Sequence, residues 1–262
     1  MCGVCFDFDA RPPAPPADLL LKPIAGGAGA ELLELSSSDG TRFSAALAES
    51  PQGRGGIVIL PDVRGLYAFY IELAERFAQA GYHAITLDYF GRTAGLGPRE
   101  QDFEYMPHVQ QLAISHVQAD IDAAAAALRE RTGVERPATV GFCLGGLESF
   151  LAGADVPGLS AVVGFYGLLD SERFSFPGPL ERAAEIRCPV LGLFGGEDQA
   201  IPVEQVAQFD TRLAEAGIEH EIHVYPGAPH SFFDRRYEEY ADAAEDAWRR
   251  MLAFLDRHAA AG

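Results

Sequence analysis

The chain has 262 residues, 48% of them hydrophobic, with 28 Gly and 17 Pro. That composition excludes bulk disorder, and the length fits one large domain or two small ones. The 20 basic and 38 acidic residues give a net charge of −18. A surface so acidic repels phosphate backbones, which argues against a nucleic-acid or anionic-membrane partner.

Residues 1–20 read as an N-terminal Pro-rich arm, with Ala10-Arg-Pro-Pro-Ala-Pro-Pro16 as extended polyproline. Residues 21–262 read as a single domain. Over 31–49 the turn signal Ser38-Asp39-Gly40-Thr41 lies between two β-capable runs and predicts a hairpin. Gly56–Leu60 is a short continuous apolar run, the mark of a strand buried on both faces. A helix is expected from Phe69 to Ala80, stopped by Gly81, then a strand over His83–Leu87. A long loop from Phe90 to Pro107 leads to a helix over about Val109–Arg131. Further strands are expected at 138–142, 160–165, 189–194 and 220–225. Helices are expected at 145–154, 203–216 and 237–258. Strands alternating with helices imply a doubly wound, mostly parallel sheet, with the early hairpin as an antiparallel edge. Ligands in such sheets bind beyond the carboxyl ends of the strands.

No run is long and apolar enough to span a bilayer. The start, Met1-Cys2-Gly3-Val4-Cys5, has neither the basic nor the apolar region of a signal peptide. The four cysteines, Cys2, Cys5, Cys143 and Cys188, make no disulfide framework, so a reducing, cytoplasmic location is expected. Cys2 and Cys5 form one C-x-x-C with no second pair, and four-ligand structural zinc is not expected there. His220 and His223 lie three apart on an expected strand, point to opposite faces, and cannot readily share a metal. No metal site is expected.

Chemistry concentrates at the strand ends. Val140-Gly-Phe-Cys143-Leu-Gly-Gly146 has the G-x-S-x-G elbow pattern with Cys in place of Ser, between a strand and a helix. A helix N-terminus there favours a thiolate. A nucleophile needs a base, and the base needs an orienting acid. Asp198 in Gly195-Gly-Glu-Asp198 fits the acid, with Glu197 as its competitor, and His230 in Pro229-His-Ser-Phe232 fits the base. The chain order nucleophile, acid, histidine is that of α/β-hydrolases.

These segments, together with Leu60-Pro-Asp-Val-Arg-Gly-Leu66, resemble the dienelactone hydrolase family of α/β-hydrolases over roughly residues 30–258. The resemblance implies the α/β-hydrolase fold, a Cys143-His230-Asp198 triad, no cofactor, and hydrolysis of lactones or esters that often carry a carboxylate. It implies that Asp62 stands where the family commonly has a thiol-activating Glu, one methylene longer. It implies an oxyanion hole from the backbone N–H groups of Leu144 and Val63. Arg92 matches a family arginine that pairs with the substrate carboxylate. The second such position is Asp234 here, so either Arg235 takes that role by a small loop shift or the natural substrate is not a dienelactone; Arg64 is a further candidate anion contact. Tyr166 joins them as a substrate-binding candidate. The expected partner is a small ester or lactone, and the expected state a monomer or small homo-oligomer. A broad carboxylesterase or thioesterase of the same fold and a non-catalytic binding scaffold remain as alternatives.

Overall fold

A computed structural model describes residues 10–20, 29–170 and 176–259. Cys2 and Cys5 lie outside them. The strands are β1 (Glu31–Ser36), β2 (Arg42–Ala48), β3 (Gly56–Leu60), β4 (His83–Leu87), β5 (Ala138–Phe142), β6 (Val162–Phe165), β7 (Val190–Gly195) and β8 (His220–Tyr225). The helices are α1 (Ala68–Gln79), α2 (Gly91–Ala94), α3 (Met106–Val109), α4 (Ile114–Thr132), α5 (Leu144–Asp155), α6 (Pro179–Arg182), α7 (Val203–Glu215) and α8 (Ala241–His258).

All eight strands form one sheet in the order β1-β2-β4-β3-β5-β6-β7-β8. The β1–β2 hairpin is antiparallel and β2 pairs antiparallel with β4; every other pairing is parallel. Strands β3, β5, β6 and β7 are buried at every position, as their unbroken apolar runs require of strands covered on both faces. The outer strand β1 keeps only an alternating, half-exposed pattern. The fold is that of the α/β-hydrolases, with the antiparallel hairpin at its N-terminal edge.

Two expected helices are shorter than the periodicity implies. The helix expected over 109–131 is divided into α3 and α4, because Ala113 is extended at φ −111° and ψ 130°. Val109 and Leu112 pack against the same core as α4, so the apolar spacing runs through the break. The closing helix begins at Ala241 rather than 237, after a series of turns through Tyr237 and Tyr240.

The Pro-rich arm lies on the body of the protein. Pro12, Pro13, Pro15 and Pro16 are buried. The indole N–H of Trp248 on α8 donates to the Pro13 carbonyl at 3.2 Å, and Arg249 pairs with Asp18. Among the described residues no helix is long and apolar enough to cross a membrane.

Candidate active site

The turn from β5 into α5 sets Cys143 at the carboxyl edge of the sheet. Cys143 caps α5 with φ 55° and ψ −112°, a region that L residues rarely enter. The two neighbouring glycines make the turn possible. A Cβ on Gly141 would lie 1.8 Å from the Gly145 carbonyl oxygen, and one on Gly145 would lie 2.0 Å from the Leu60 oxygen. Cys143 is half-buried. Its backbone N–H is held by the Phe165 carbonyl at 3.0 Å, so β6 fixes the elbow from the side.

His230 approaches from the loop after β8. Its Nδ1 lies 2.6 Å from Asp198 Oδ2, and its ring is within electrostatic reach of Cys143. Asp198 is buried, and its other oxygen accepts the Ala200 N–H at 2.8 Å. Glu197, the competing acid, is exposed. Burial opposes a charged imidazole at His230, but the interaction with Cys143 and the bond to Asp198 outweigh it. The His230 pKa is pushed up to about 10. The structure thus bonds His230 to Asp198 and sets the imidazole within electrostatic reach of Cys143.

Leu144 is the first residue of α5, so its N–H has no intrahelical acceptor. Val63 stands in the loop after β3, half-buried against the core. That loop is held at several points. Asp62 Oδ1 accepts the Arg64 backbone N–H at 2.8 Å, and both its oxygens face the Arg64 guanidinium, the closest at 2.5 Å. Arg64 is 0% exposed and lies 4.2 Å over the Tyr67 ring. Burial disfavours its charge, and Asp62 more than restores it. Asp88, also 0% exposed, accepts the Leu66 N–H at 3.1 Å and the Arg99 guanidinium at 2.7 Å.

The remaining candidates divide. Asp62 meets Arg64, not Cys143, because two residues along the loop a guanidinium takes both its oxygens. Arg92 meets Asp120 through two bonds, at 2.5 and 2.9 Å, and Asp39 at 3.0 Å. Those contacts join α2 to α4 and the hairpin turn, rather than reaching the cysteine. Arg235 donates to the Ser231 hydroxyl at 2.8 Å and faces Asp234 at 3.6 Å. Tyr166 packs its ring 4.9 Å from that of His230 and donates its hydroxyl to Asp234 Oδ2 at 3.0 Å.

Two neighbours escape a reading of the sequence. Tyr105, in the loop before α4, lies within the electrostatic reach of Arg64, Asp62, Arg235 and Cys143. Its local sequence, with Phe103 two residues before it, gives no signal that sets it apart. Ser231 is the third non-glycine residue with positive φ among the described residues, at 60°, beside Cys143 and Tyr166 at 38°. All three strained positions fall at this site, as backbone strain does where side chains are aimed for chemistry. Among the described residues no group of His, Cys, Asp and Glu is placed to hold a metal ion.

A cysteine on a strand–helix elbow, reached by a histidine and a buried aspartate on later strand ends, defines an α/β-hydrolase site. The model of the dienelactone hydrolase family matches residues 43–259, and the chain belongs to that family, whose members are carboxylic ester and lactone hydrolases. A provisionally named carboxymethylenebutenolidase of Escherichia coli K12 is 33% identical over 77% of this chain and 76% of its own. A provisionally named 2-oxo-3-(5-oxofuran-2-ylidene)propanoate lactonase of Bradyrhizobium is 30% identical over 77% of this chain and 83% of its own. The crystal structure of a provisionally named dienelactone hydrolase from Klebsiella pneumoniae superposes with a TM-score of 0.75 at 29% identity, covering 87% of this chain and all of that one (100%).

Proposed function

We propose that the protein cleaves a small lactone or carboxylic ester through a Cys143–His230–Asp198 triad and a thioester acyl-enzyme. The observation that carries this reading is the 2.6 Å bond between His230 and buried Asp198, with Cys143 on a strained elbow acting electrostatically on the same imidazole. The Bradyrhizobium relative, a lactonase by name, supports a lactone as substrate.

The Cys143 sulfur attacks the carbonyl carbon, and the carbonyl oxygen becomes an oxyanion. The N–H groups of Leu144 and Val63 receive it, each worth about 3 kcal/mol in comparable sites. The C–O bond breaks, and the imidazolium of His230 gives its proton to the leaving alkoxide. Water then loses a proton to His230, attacks the thioester, and releases the acid and the thiolate. Asp198 holds the imidazole in one tautomer and stabilises its charged form. Asp62 serves this chemistry through Arg64, fixing the loop that carries the Val63 N–H. A thiolate suits esters and lactones over amides, because a tetrahedral adduct with an amine leaving group expels the thiolate instead.

Cys143→Ala and His230→Ala are each expected to lower kcat for an activated ester by on the order of 10³-fold or more. Stopped-assay rates on 4-nitrophenyl acetate measure this. Wild-type turnover in either variant sinks the triad.

A further inference from the structure

Two arginines, Arg64 on the loop after β3 and Arg235 on the loop that carries His230, each face a buried carboxylate. Arg64 faces Asp62, which is 3% exposed, and Arg235 faces Asp234, which is 1% exposed. Both oxygens of Asp234 accept hydrogen bonds, Oδ2 from the Tyr166 hydroxyl and Oδ1 from the Arg235 backbone N–H. Burial raises the Asp234 pKa, but Arg235 and the two accepted hydrogen bonds favour the ionised carboxylate. The third candidate, Arg92, is likewise held by Asp120 and Asp39.

A substrate carboxylate entering this space would therefore meet no surplus of positive charge. It would have to lose its water with no net positive charge to repay that loss, and an uncompensated buried charge is strongly disfavoured. The chain's net charge of −18 adds repulsion at long range.

We propose that Asp234, by neutralising Arg235 on the loop that carries His230, restricts this hydrolase to uncharged lactones and esters and excludes those with a carboxylate near the scissile carbonyl. The proposal rests on the triad reading above. Tyr166 contributes by holding the Asp234 carboxylate in place, with its ring against His230. Asp234 acts through Arg235 and is a positioning residue, not a catalytic one.

The test is a matched pair of substrates on the full chain: 4-nitrophenyl pentanoate and the mono-4-nitrophenyl ester of glutaric acid, which carries a carboxylate at the same reach. In the wild type, kcat/KM is expected to favour the neutral ester by about tenfold or more. Asp234→Asn keeps an acceptor for Tyr166 but removes the charge, and it is expected to narrow that ratio by raising activity on the anionic ester. A purely structural role for Asp234 would lower both rates alike and leave the ratio unmoved. Should the variant fail to fold, inhibition of the wild type decides: butyrate is expected to inhibit no better than butyramide. A wild-type ratio below tenfold, a ratio unmoved by Asp234→Asn, or stronger inhibition by butyrate overturns the proposal. The triad reading fails by a separate result, neutral-ester turnover that survives Cys143→Ala.

Discussion

His230 sits where desolvation works against a charged ring, and its interactions with Cys143 and Asp198 reverse that effect, taking its pKa to about 10. An unfolded histidine titrates near 6.5. The imidazolium therefore stabilises the fold fully below about pH 6.5, and that contribution is lost as pH rises through about 10. Urea unfolding of the wild type and His230→Gln at several pH values is expected to show a stability gap that is largest at pH 6 and closes towards pH 10. A gap that widens with pH would contradict the assignment. At this scale the sequence discloses types and order but not partners. Cys143, Asp198 and His230 are legible from the elbow pattern and their strand-end positions. The engagement of Arg92 by Asp120, 28 residues away, and of Asp234 by Tyr166, 68 residues away, is tertiary and leaves no local signal.

The loop between β3 and α1 shows how an element is held for chemistry. In the proposed mechanism its Val63 N–H faces the substrate, a role a regular helix or strand would not leave open. Instead, buried side chains brace it: Asp62 with Arg64 from within, and Asp88 from the end of β4. Asp88 also accepts the Phe90 N–H at 2.9 Å and pairs with Arg99. Asp88→Ala leaves the Arg99 guanidinium buried without this partner and two N–H groups without an acceptor. A loss of about 3–5 kcal/mol is expected in urea unfolding, with a fall in kcat as the loop loosens. A variant within about 0.5 kcal/mol of wild type would show that Asp88 braces nothing. Periodicity reads the long elements well because their apolar faces share one core. It fails at Ala113, where the backbone turns aside with neither glycine nor proline to announce it.

For the molecule as a whole, the sequence pattern is sufficient for the sheet. Four fully buried strands in the middle, a hairpin at one edge and helices between them follow from apolar runs and turn signals. The net charge speaks to the exterior and to approaching anions, while the site keeps its own balance of aspartates and arginines. The proline arm is less legible. Its composition suggests an extended strand, but only Trp248 and Arg249, more than two hundred residues away, show where it lies.

The most direct measurement of the central claim is mass spectrometry of the protein quenched in acid during turnover of an activated ester. An acyl adduct on the peptide containing Cys143 is expected, cleaved by neutral hydroxylamine as a thioester is, and absent from Cys143→Ala. Steady turnover with no adduct on that peptide, or an adduct on another residue that survives Cys143→Ala, would contradict the account.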